Sequence, residues 1–85
     1  MPAKQQIKIL RRPDVLTRLG IKNTSLHERI KSGLMVPSIP LGDRAVGWLE
    51  HELDQVLAFM AAGKNEDQIR ALVAHLVEQR SKLAA

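Results

Sequence analysis

Three histidines, His27, His51 and His75, are spaced at equal steps of 24 residues. A helical zinc site places its ligands one turn apart, so this spacing does not build one. His51, Glu52 and Asp54 have the composition of a metal or acid–base cluster. They fall opposite Leu49 and Leu53 in a helical period, which reads as a solvated helix face. Ser25 and His27 match no local nucleophile–base signature, and Gly42 and Gly47 are too dispersed to cradle a phosphate. The chain has no cysteine, which excludes disulfides and thiolate metal sites. No metal or other cofactor motif is found, and a role without catalysis is expected.

A second set of polar residues suits recognition rather than catalysis. Asn23, Thr24, Ser25, His27, Glu28 and Lys31 lie within one short segment around Leu26 and Ile30. At 100° per residue the two apolar residues share one face, and Thr24, Glu28 and Lys31 oppose them. On a helix in a DNA major groove, Lys31 would reach a guanine edge or a phosphate. Glu28 would accept from a cytosine amino group. Thr24 and Ser25, near the positive helix end, suit phosphate oxygens. Arg44, beside a Gly-Asp turn, would enter the adjacent minor groove. Arg12, Arg18, Lys22 and Arg29 would anchor phosphates, with Arg29 angled nearest the buried face.

The positioning elements follow in chain order. Ile7, Ile9 and Leu10 suggest a short extended segment on the domain edge, and the first five residues are expected to be mobile. The first helix is Arg12–Leu19: Pro13 suits the first helical position, Asp14 complements the dipole, and Gly20 ends the helix. A second helix runs from near Asn23 to Gly33, with Asn23 or Thr24 as cap and Ser25/Glu28 at capping-box spacing. Pro37 and Pro40 forbid helix across the next segment. Ile39 and Leu41, a Gly42-Asp43 turn, and Ala45 to Trp48 predict a hairpin, the wing. Leu49, Leu53, Val56, Leu57 and Met60 predict a third helix over Leu49–Ala62, stopped by Gly63. Asn65 caps a fourth, whose stripe is Ile69, Leu72, Val73, Leu76 and Val77, extended by Leu83. That stripe is expected to pack on the protein's own core, because a small domain needs the buried area.

Bulk properties agree with this reading. Eighty-five residues allow one small domain, and the formal charge is +4. Residues 1–50 carry nine basic and four acidic side chains, whereas residues 51–85 carry four and five. The basic excess therefore lies with the helix-turn-helix and wing, as polyanion binding requires. Trp48 and Phe59 are the only aromatics. So few argue against single strands or RNA held by stacking, and Trp48 reads as a core anchor. Residues 1–10 mix Lys4, Gln5, Gln6 and Lys8 among apolar ones, so no signal peptide is expected. No apolar run reaches the roughly 20 residues of a membrane span.

The run from Gly20 to Leu57 resembles the AlpA-type phage and prophage regulators, a family related in fold to small excisionases and MerR-type DNA-binding domains. The most specific part is Leu41 through Glu52, LGDRAVGWLEHE, supported by the Gly20-Ile21 turn and the helix end Ile30-Lys31-Ser32-Gly33. The likeness covers roughly residues 8–60. It implies a winged helix-turn-helix that binds duplex DNA to control prophage or genomic-island genes. In related proteins it also implies excision directed by bending attachment-site DNA. This chain departs from the pattern at Lys22, where relatives commonly have serine, and at Glu28, where they often carry arginine.

The expected architecture is mainly α: a winged helix-turn-helix with a short hairpin wing and two further C-terminal helices. Residues 12–48 form the helix-turn-helix and wing of a single DNA-binding domain spanning 1–85. Residues 49–85 support it or join it to another copy. The expected partner is double-stranded DNA, a promoter or attachment site, in the bacterial cytoplasm and nucleoid, with no membrane. A homodimer or cooperative oligomer and an integrase partner are compatible with this. Two alternatives stay open: an interaction module docking a partner such as integrase through the fourth helix, and a small DNA-packaging subunit.

Overall fold

The computed structural model describes residues 7–84; the expectation for the first five residues lies outside that range. Its elements are β1 (Ile9–Leu10), α1 (Arg12–Leu19), α2 (Asn23–Lys31), β2 (Ile39–Gly42), β3 (Ala45–Leu49), α3 (Glu50–Ala61) and α4 (Glu66–Gln79), followed by a 3₁₀ turn, Arg80–Ala84. The architecture is a mainly helical winged helix-turn-helix.

The N-terminal segment does more than pack on an edge. β1 pairs antiparallel with β3, Ile9 against Leu49 and Leu10 against Trp48, and the sheet order is β1-β3-β2. The central strand β3 is therefore held on both sides. Pro40 is tolerated in β2 because that strand is an edge and its missing N–H breaks no ladder. β2 also carries an irregularity between Pro40 and Gly42, where the register shifts against β3.

Local chemistry sets most boundaries. The first helix has a proline in its first turn, and Gly20 ends it at φ +68°. The helix α2 is shorter than expected. It stops at Lys31 because the chain reverses at Gly33, with φ +78°. There the Gly33 N–H donates to the Ile30 carbonyl and the Leu34 N–H to that of Arg29, satisfying two carbonyls the helix leaves open. At the other end Lys22, not Asn23 or Thr24, is the cap residue, and no side chain caps the helix. The Ser25/Glu28 capping box does not form, because Asn23 is already helical and its Oδ1 accepts from Arg12 at 2.9 Å. By contrast, Asn65 and Gln68 close a reciprocal capping box at the start of α4.

The third helix starts one residue later than its apolar period suggests. Leu49 ends β3, and its backbone stays extended. Strand therefore passes directly into helix, and the Glu50 N–H is taken by the Lys8 carbonyl at 2.8 Å.

One hydrophobic cluster joins all layers, from Leu10 and Val15 through Leu26, Met35, Trp48, Leu53 and Val56 to Ile69, Val73 and Leu76. The stripe of α4 thus packs on the protein's own core. Val77, expected within the stripe, and Leu83, expected to extend it, remain 37% and 38% exposed because they lie at its margin. Trp48 is fully enclosed at 1% exposure, and its Nε1–H donates to the Val36 carbonyl at 3.2 Å. An indole can be buried this deeply because its one polar atom is satisfied. No described helix is long and apolar enough to cross a membrane.

Candidate nucleic-acid interface

The exposed polar surface of α2 matches the period of its sequence. Leu26 is fully buried and Ile30 half-buried, while Asn23, Thr24, Ser25, His27, Glu28 and Lys31 are exposed. Leu26 and Ile30 fix the helix on the core and so decide which residues face outward. Arg29 is half-buried, as its angle implies. Its Nη2 donates to the Leu34 carbonyl at 3.3 Å and contacts the Met60 sulfur at 3.4 Å. That turns its guanidinium toward the end of α3.

Two arginines at the start of α1 connect the helix-turn-helix to the wing. Arg12 donates to Asn23 at the start of α2, and its guanidinium lies 5.2 Å from the centre of the Trp48 ring in β3. Arg11 donates from Nε to the Val46 carbonyl of the same strand at 3.1 Å. The first turn of α1 therefore sits between the start of α2 and the wing, and it carries two positive charges. Lys22, exposed, adds a third at the entry to α2. Neither α1 nor α2 has a side-chain cap, so among the described residues the N–H groups of both first turns have no side-chain partner. Arg11 carries no sequence signal for this placement. Its adjacency to Arg12 carries no period or motif, and its role depends on a carbonyl 35 positions away.

The wing ends in a two-residue turn, Asp43-Arg44, with φ of +45° and +67°. Positive φ at both positions is the type I′ signature, whose twist matches that of a hairpin. Such turns favour Asn-Gly or Asp-Gly, because an L side chain in the left-handed region costs about 1–2 kcal/mol. Arginine occupies that costly second position. Arg44 is exposed, and among the described residues it makes no ion pair or side-chain hydrogen bond. Neither Asp43 nor Glu50 pairs with it. Glu50 instead faces Arg18 at 3.2 Å and Lys8 at 3.5 Å.

Arg18 is placed differently from the other basic candidates. It joins Glu50 and, at 2.6 Å, Asp54, tying α1 to α3. Its charge is offset by two carboxylates. These exposed pairs add little stability, about 0–1 kcal/mol each.

The acidic face expected on α3 is divided. Asp54 is exposed and Glu50 half-buried, but Glu52 is 1% exposed. It is buried because Arg80 comes over from the end of α4 to meet it, with N–O distances of 2.7 to 3.2 Å. His27 and His75 are exposed and His51 is half-buried, and His51 and His75 line one cavity with Glu52 and Arg80. Among the described residues no three metal-binding side chains cluster.

Comparison with known proteins identifies the family. The family described as Prophage CP4-57 regulatory protein (AlpA) matches residues 8–60. The chain belongs to the AlpA family. That match spans β1 through most of α3 and includes both α2 and the wing. A relative from Enterobacteria phage P4, the uncharacterized protein ORF88, is 31% identical over 64 residues, covering 75% of this chain and 73% of its own. No solved structure matches the chain. The AlpA match stops before α4, so the final helix and the 3₁₀ turn lie outside it.

Proposed function

We propose that this AlpA-family chain is a sequence-specific double-stranded DNA-binding regulator of a prophage or genomic island. It acts in the bacterial cytoplasm, without catalysis. The observation that carries the reading is Arg44: an unpaired, exposed arginine in the left-handed position of a hairpin turn. Residues strained in this way cluster at functional sites. In this reading α2 lies in the major groove with Thr24, Ser25, His27, Glu28 and Lys31 toward the bases and flanking phosphates. Arg44 enters the neighbouring minor groove. Arg12, Lys22 and Asn23 hold phosphates beside the uncapped helix starts. Arg18, already paired with two carboxylates, serves orientation more than contact.

Transcriptional regulation and excision are two uses of the same interface, at an integrase promoter and at an attachment site. Footprinting on both duplexes, with bending measured alongside, separates them: a bend at the attachment site marks an excisionase, and promoter protection alone marks a transcription regulator. Lys31→Ala and Arg44→Ala are each expected to weaken binding. Each should also lower the salt slope, by about 0.9 per lost phosphate contact. Unchanged affinity in both folded variants would sink the reading. The interaction-module alternative draws less support, because Ile69, Val73 and Leu76 are buried in the protein's own core.

A further inference from the structure

Two consecutive carbonyls at the root of the wing are each held by a distant side chain. Trp48 Nε1 donates to the Val36 carbonyl at 3.2 Å, and Arg80 Nη2 donates to the Pro37 carbonyl at 2.7 Å. Ile39, two residues on, begins β2. That strand is an edge, bonded only to β3, so the path of the hairpin depends on how its root is fixed. Met35 and Val36 are fully buried, whereas Leu41 to Arg44 are exposed. Val36 is thus the last fully buried residue before the tip.

Arg80 is itself locked. Its Nε lies 3.0 and 3.2 Å from the two oxygens of Glu52, and its Nη2 lies 2.7 Å from Oε1. Glu52 sits on the first turn of α3 at 1% exposure, where a carboxylate without a partner is strongly unfavourable. Arg80 cannot leave Pro37 without also disturbing that buried charge. A planar guanidinium can meet a carboxylate and a carbonyl in one fixed arrangement, and a lysine ammonium cannot reproduce it. The backbone that carries Arg80 is anchored by Ile69, Val73 and Leu76 of α4. All of these α4 residues lie beyond the segment matched to the AlpA family.

We infer that Arg80 is a positioning residue for the wing: through Glu52 and the Pro37 carbonyl, the C-terminal helix sets the angle at which Arg44 is presented to DNA. This rests on the reading of the wing as a DNA contact. It gives α4 a part in binding that needs no DNA contact of its own, and any event that undocks its end would loosen the hairpin.

The test uses the full chain with Arg80→Lys, read by amide hydrogen exchange and by duplex affinity, alone and combined with Arg44→Ala. If Arg80→Lys fails to fold, Glu52→Gln with Arg80→Met removes both charges together and leaves none unpaired. Exchange across residues 39–46 should quicken about fivefold while α1 is unchanged, and affinity should fall about fivefold. In the Arg44→Ala background the affinity should fall no further, because the side chain being positioned is gone. Unchanged wing exchange in a folded variant overturns the inference, and so does a full additional loss of affinity in the Arg44→Ala background. Quickened exchange together with wild-type affinity of Arg44→Ala itself would keep the clamp and overturn the wing as a DNA contact.

Discussion

The guanidinium of Arg12 lies over the Trp48 ring, 5.2 Å from its centre, and the same group donates to Asn23. One exposed-side cation thus covers the largest core residue and ties two helix starts together. A cation over an indole face contributes about 0.5–1 kcal/mol at such a site. Arg12→Ala should lower the unfolding free energy by about 1 kcal/mol. Trp48 is the only tryptophan, so its fluorescence reports both the loss of the covering charge and the unfolding curve. An unchanged urea midpoint would show that the stacking adds nothing.

The turn at Asp43-Arg44 sets stability against binding. Relieving the left-handed arginine recovers about 1–2 kcal/mol, and glycine returns roughly 0.5–1 kcal/mol of that through its freer unfolded chain. Arg44→Gly should therefore leave the free protein equal or more stable, by up to about 1.5 kcal/mol, while DNA affinity falls. Thermal melting and duplex binding on the same variant measure both. A clear loss of stability would mean that Arg44 makes contacts that hold the fold.

Gly47 is required by close approach rather than by its dihedral. A Cβ there would lie 2.5 Å from Ile9 Cγ2, 3.0 Å from Leu41 Cδ1 and 3.2 Å from the Leu10 carbonyl oxygen. The two side chains can yield, but the Leu10 backbone is held in the sheet. Gly47→Ala should cost about 1–3 kcal/mol by overpacking. Adding Ile9→Ala removes the nearest atom and should restore part of the loss in chemical denaturation. If the double variant is no better than the single one, the clash lies with Leu41 and the Leu10 backbone.

Much of the fold is legible residue by residue. Pro13, Gly20, Gly33, Gly63 and the Asn65 cap act on their own backbone or on groups within a turn of it, so their effects can be read from neighbouring positions. The same holds for the polar face of α2, whose outward side follows from Leu26 and Ile30 at a 3.6-residue period. The Gly-Asp-Arg hairpin and Trp48 as a core anchor are equally local signals.

Pairings across the chain are of another kind. Glu52 reads as solvated from its helix alone, yet it is buried because Arg80 meets it from 28 positions away. Arg18 reads as a phosphate anchor, yet Glu50 and Asp54 occupy it across 32 and 36 positions. Asn23 reads as a helix cap, yet Arg12 takes its oxygen. No period or motif encodes such partners. A charged side chain's role depends on which other charge the packed core brings within reach, and only the folded chain decides that. Sequence alone therefore determined the elements, the outward face of α2 and the arginine at the wing tip. The tertiary structure decided which basic residues remain free for a polyanion and which are already paired.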